Sequence, residues 1–140
     1  MGRILALDYG RKRIGIAVSD PGKIIAQGLK TVLVKDFWIF LDDYVQKEEI
    51  DLFVVGYPVQ MNNQPSEALR WINPFIKQLR KKFPEKQIIL EDERFTSRMA
   101  HQAMIEGGMK KKQRADKMMV DKISATLILQ SFMLKKEREK

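Results

Sequence analysis

The sequence predicts an α/β chain built on a five-stranded mixed sheet, in the order β-β-β-α-β-α-β-α-α, with helices on the faces of the sheet. Three observations carry this. The chain opens with three strand-like runs separated by short turns. The apolar spacing then lengthens from two residues to three or four. After that change, helical and strand-like segments alternate, as they do where parallel strands are joined by crossover helices.

Ile4 to Asp8 is an apolar run that ends in an acid. Gly10-Arg11-Lys12 makes the turn, and Arg13 to Ser19 reads as a second strand, with Ile14, Ile16 and Val18 alternating with Gly15 and Ala17. Asp20-Pro21-Gly22 signals the next turn, and Lys23 to Val32 follows as a third strand. Asp36 to Glu49 carries Phe37, Phe40, Leu41, Tyr44 and Val45 at helical spacing. Asp51 to Gly56 is a short buried strand, closed by Gly56-Tyr57-Pro58. Ser66 to Phe83 is expected as a helix with Leu69, Ile72, Ile76 and Leu79 inward, kinked or split at Pro74. Gln87 to Leu90 is the fifth strand and runs into Glu91-Asp92-Glu93-Arg94. Thr96 or Ser97 caps a helix to about Glu106, stopped by Gly107-Gly108. Asp116 caps a last helix to about Leu134, with Val120, Ile123, Leu127 and the region of Ile128 on its apolar face. Residues 135–140 are expected as a frayed, charged tail, and Trp38 and Trp71 as core. No repeat or linker divides the 140 residues, so one domain over 1–140 is expected.

Composition narrows the chemistry. There is no cysteine and a single histidine, which excludes disulfides and thiolate metal sites and disfavours a histidine-based zinc site. A bound metal would be held by oxygen, which suits Mg²⁺ or Mn²⁺. No apolar run is long enough for a bilayer and no signal peptide is visible, so a cytoplasmic protein without a membrane partner is expected. A net charge of +8 suits a polyanionic partner, of which nucleic acid is the commonest.

Acids recur where strands and helices would bring them together. Asp8 ends an apolar strand, where a carboxylate needs a partner, a cation or solvent. Glu91, Asp92 and Glu93 end the fifth strand; alternation gives Glu91 and Glu93 one face and Asp92 the other. Three adjacent acids call for a nearby cation, for which Arg94 and a metal are the candidates. Asp121 lies in the first turns of the last helix, and the small Ser124 and Ala125 let that stripe approach another element. Singly, each acid reads as a turn or helix-end residue. Together, carboxylates from two strand ends and a helix can hold one or two divalent ions for phosphodiester cleavage.

At this point the chain resembles the YqgF family, also called RuvX. The resemblance rests on Ile4-Leu5-Ala6-Leu7-Asp8-Tyr9-Gly10 through Asp20, then Val54-Val55-Gly56-Tyr57-Pro58, Asp92-Glu93-Arg94-Phe95-Thr96-Ser97, and Val120-Asp121-Lys122-Ile123-Ser124-Ala125 with Ile128-Leu129-Gln130. It implies a ribonuclease-H-like fold related to the RuvC resolvases, and a nuclease role in maturing the 5′ end of pre-16S ribosomal RNA. Carried over by motif, the metal-binding catalytic acids are Asp8, Glu93 and Asp121, with Asp92 the alternative to Glu93. Resolvases of the RuvC type carry an acid near the end of the fourth strand; Gly56-Tyr57-Pro58 stands there instead, so the second ligand must come from the fifth strand.

Under that fold, Arg94 and the cluster Lys110, Lys111, Lys112 and Arg114 would ring the acids and contact phosphates, with Arg11, Lys12 and Arg13 as secondary candidates. The partner expected is structured RNA, with branched DNA as the alternative, and the protein a monomer or weak homodimer. Two rival functions accompany this reading. One is a nucleotide-binding ATPase or kinase module, since Asp8-Tyr9-Gly10 is similar to the first phosphate motif of that superfamily; one short domain cannot make its two-domain clamp. The other is a non-catalytic RNA-binding module, which would keep the basic surface without needing the acids.

Overall fold

The structure is a computed structural model and describes residues 2–58, 67–92 and 116–138. Within them lie β1 (Arg3–Tyr9), β2 (Arg13–Ser19), β3 (Ala26–Leu33), α1 (Val34–Lys47), β4 (Ile50–Tyr57), α2 (Leu69–Lys82), β5 (Gln87–Asp92) and a final helix, α3 (Lys117–Arg138). The helix expected near residues 96–106 falls outside the described residues.

The five strands form one sheet in the order β3-β2-β1-β4-β5. The turns at residues 10–12 and 20–25 return the chain on itself, so β1–β2 and β2–β3 pair antiparallel. The helical crossovers make β1–β4 and β4–β5 parallel. The second turn is longer than the sequence suggests, because the Asp20 carboxylate accepts hydrogen bonds from the N–H groups of Gly22, Ile24 and Ile25 and holds the chain out to residue 26.

Alternation along β1 divides the core. Leu5 and Leu7 face α1 and α2, packed with Phe37, Leu41, Ile72 and Phe75. Ile4 and Ala6 face α3, packed with Ala125, Ile128, Leu129 and Phe132. Both faces of the sheet are covered, as the apolar runs of β1 and β4 require.

Four expectations change on folding. Pro74 lies inside α2 without splitting it, on the exposed face and near the helix start. Trp71 is 37% exposed, because it stands off the stripe of Ile72, Phe75, Ile76 and Leu79 that α2 buries. The inward face of α3 is Ser124, Ala125, Ile128, Leu129 and Phe132, with Val120, Ile123 and Leu127 only half-buried on its flank. Lys135 to Arg138 continue α3 instead of fraying, and Lys135 Nζ is bonded to the buried carboxylate of Glu91.

Candidate metal centre

The site begins with a glycine. Gly15 in β2 is the direct cross-strand partner of Asp8 in β1, so the two positions share a face of the sheet. Asp8 follows Ile4 and Ala6 in alternation, which assigns it to the α3 face. A Cβ added at Gly15 would stand 2.1 Å from the carbonyl oxygen of Asp121 and 3.2 Å from its Cβ. Only a residue without a side chain lets the backbone of α3 come this close, the use of a strand glycine that close packing demands. Gly28 on β3 repeats the device, with Lys122 Cγ at 2.9 Å and Thr126 Oγ1 at 3.0 Å from its would-be Cβ. The first turns of α3 thus rest on β2 and β3, and Asp121 stands over the residue beside Asp8.

Local contacts fix that helix end. Asp116 caps it, its carboxylate accepting from the Met118 N–H at 3.0 Å. Thr31, paired with Gly15 across β2–β3, donates its hydroxyl to the Met118 carbonyl. Arg13, two residues before Gly15 and on the same face, donates from Nε to Asp121 Oδ2 at 3.0 Å. That guanidinium is therefore engaged with a candidate ligand, and holds its orientation.

The end of β5 separates its acids. Glu91 pairs with Gly56 and faces α3, where it is 4% exposed and accepts from Ser131 Oγ at 3.1 Å and from Lys135. Among the described residues, the cation that answers this acid is Lys135 of α3. Asp92 pairs with Tyr57 and by alternation faces the α1/α2 side, away from Asp8 and Asp121. Beneath that side Tyr9 stacks on Phe75 with ring centroids 4.4 Å apart, and burial pushes its phenol pKa up. The position next to Glu91 on β4 is Gly56, so no carboxylate comes from the end of β4.

Glu93, Arg94, Lys110, Lys111, Lys112 and Arg114 lie outside the described residues. Lys12 and Arg11 are exposed in the β1–β2 turn, and Arg11 leans on Trp71. Among the described residues no three acidic or histidine side chains stand together as a metal cluster. Asp8 and Asp121 stand on the same face of the sheet, at and above neighbouring strand positions, both half-buried and both offering hard oxygen donors. That donor type fits a divalent Mg²⁺-like ion, with no histidine or cysteine among the described residues to favour zinc. Sequence reasoning missed the part of Gly15; its place between alternating isoleucines opposite an acid was the available signal.

Comparison with known proteins agrees with this architecture. A relative from Phocaeicola vulgatus is 55% identical over 137 residues, covering 98% of this chain and 99% of its own. A second, from Bacteroides thetaiotaomicron, is 51% identical over 95% of this chain and 96% of its own. Each is called "Putative pre-16S rRNA nuclease". The solved structure of Thermus thermophilus RuvC in complex with a Holliday junction substrate superposes with a TM-score of 0.58 over 96% of both chains at 12% identity, a likeness of fold that makes the sheet ribonuclease-H-like. The family model for RuvX, described as Holliday junction resolvase, matches residues 2–135, and the chain belongs to that family.

Proposed function

We propose that this chain is a metal-dependent nuclease that hydrolyses phosphodiester bonds in the maturation of the 5′ end of pre-16S ribosomal RNA, acting in the cytoplasm as a single ribonuclease-H-like domain. The observation that carries the reading is the seating of Asp121 on Gly15, the cross-strand partner of Asp8. Two carboxylates from opposite ends of the sequence share one face at the C-terminal end of the sheet's central strand. The relatives' name supports the same substrate class.

Asp8 and Asp121 are the ligands for Mg²⁺ or Mn²⁺, and Glu93 completes the set from the strand end, with Asp92 disfavoured by its side of the sheet. A divalent ion bound there supplies the Lewis-acid charge that phosphodiester hydrolysis needs. Arg13 fixes the rotamer of Asp121 through its Nε. Arg94 and the Lys110–Arg114 cluster hold flanking phosphates by charge, making binding salt-dependent.

The test is a panel of substrates (ribosomal precursor RNA, single-stranded RNA and a four-way DNA junction) assayed with Mn²⁺. Asp8→Asn and Asp121→Asn are expected to lower cleavage of the RNA by at least about 100-fold, since losing a metal ligand removes several kcal/mol of transition-state stabilisation. Faster cleavage of the junction than of RNA assigns the site to DNA resolution instead. RNA binding unchanged by both substitutions, with no cleavage by the unaltered chain, overturns the catalytic reading in favour of a binding module.

A further inference from the structure

A second feature stands beside the β1–β2 turn, on the other side of the sheet edge from Asp121. Trp71, near the start of α2, keeps 37% of its surface exposed, and the guanidinium carbon of Arg11 lies 4.2 Å from the centroid of its ring. Behind the indole is a cleft of about 160 Å³ lined by Tyr9, Trp38, Phe75 and Gln78 together with Trp71. Arg11 is three residues beyond Asp8, so the chain between them spans at most about 11 Å. An indole left half in water with a guanidinium on its face is the pairing with which proteins stack unpaired bases.

The outer face of α2 extends this feature. Between Leu69 and Lys82 the helix contains no acid, and Arg70, Lys77, Arg80 and Lys81 are all exposed. Arg70, Lys77 and Lys81 recur at helical spacing on one stripe, which runs about 16 Å along the helix at 1.5 Å per residue. Lys82, on the inner edge, is already taken by Asp42 of α1 at 3.0 Å. A solvated helix face commonly mixes its signs. This one is of a single sign, and it begins at the exposed tryptophan.

We propose that Arg11, Trp71 and the basic face of α2 form a track for single-stranded RNA, on which Trp71 stacks an unpaired base flanking the phosphodiester at the carboxylate site. The inference rests on the nuclease reading and sharpens its substrate: a bond bordered by unpaired nucleotides, not one inside a continuous duplex. The backbone of the strand follows Arg70, Lys77 and Lys81, and Arg11 contributes both charge and one wall of the stack.

The experiment follows binding of a short 5′-labelled single-stranded RNA, and of a blunt duplex of the same sequence, to the Asp8→Asn chain by fluorescence anisotropy. Trp71→Ala is expected to weaken single-strand binding roughly 5- to 150-fold, the equivalent of a base stack of about 1–3 kcal/mol, and to leave duplex binding as it was. Trp71→Phe keeps a ring and retains part of the affinity. It also leaves Trp38 as the sole tryptophan, so the RNA-induced quench of tryptophan fluorescence disappears. Lys77→Gln with Lys81→Gln lowers the salt slope for single-stranded RNA by about 1.4. Equal weakening of single strand and duplex, or a quench that survives Trp71→Phe, overturns the track. RNA cleavage and single-strand binding both unchanged by Trp71→Ala remove the track and leave the nuclease standing; Trp71-dependent binding by a chain that never cleaves does the reverse.

Discussion

The two faces of the sheet are packed by opposite means. On the α1/α2 face the contacts are made by large side chains: Phe37 meets Phe75 at 5.4 Å between ring centroids, Phe53 meets Phe83 at 5.3 Å, and Leu41 and Leu79 are fully buried. On the α3 face the contact is made by what is missing. Gly15, Gly28, Ala6, Ala17, Ser124 and Ala125 let helix and strands approach until backbone meets backbone. Bulk fills space and contributes stability through buried area. Absence of bulk sets position, and the paired carboxylates stand on that face.

The sharpest way to separate the two roles is Phe37→Ala. It should cost about 3–5 kcal/mol of stability, read from urea unfolding, while each molecule that remains folded keeps its Mn²⁺-dependent cleavage. Loss of cleavage in step with Asp8→Asn would mean that the faces are not independent. Gly15→Ala attacks the other face. The new Cβ must displace the Asp121 carbonyl, so about 1–3 kcal/mol of stability is lost and cleavage falls with it. Full activity in that variant would detach Asp121 from the site.

Lys135→Met tests the far end of α3. Glu91 is left buried with Ser131 as its remaining partner here, at an expected cost of about 1–2 kcal/mol, because the lysine itself is half in solvent. Glu91→Gln in the same background should recover much of this; failure to do so would point to lost packing of the lysine stem. The smallest effect concerns the Asp20 turn, remote from both faces. The N–H groups of Ile25 and Ile24 hold its carboxyl below the usual range. A lowered folded pKa means the contribution is present above the unfolded value of about 3.9 and is lost as pH falls through the folded one. The difference in urea midpoint between the unaltered chain and Asp20→Ala should therefore be steady near neutrality and shrink below about pH 4. A gap that stays constant to pH 2 would assign the effect to the turn backbone.

The sheet was legible because its signals are local. Gly10 and Asp20-Pro21-Gly22 announce the meander, and period-two alternation separates Glu91 from Asp92 before any strand is paired. The α3 face was legible in part: the small Ser124 and Ala125 mark the stripe that approaches the sheet, but hydrophobic spacing also put Val120, Ile123 and Leu127 inward, where they are only half-buried. Trp71 was misjudged on size: its position off the Ile72–Ile76–Leu79 stripe already pointed outward. Lys135 was read as tail because its partner, Glu91, is 44 residues away and no pattern within a helix can announce it.

The bond between Arg13 and Asp121 joins residues 108 apart in sequence. On a ribosome the sheet strands emerge first, and the helix that brings Asp121 emerges after all of them. Until then Gly15 and Gly28 face an uncovered side of the sheet. On the proposed reading, the hydrolytic centre is thus a late event in the chain's own synthesis: a nascent fragment carries the basic turn and the central strand with Asp8, but not yet Asp121. If Asp8 and Asp121 are both needed to cut, the order of elements delays cleavage until the last helix is made.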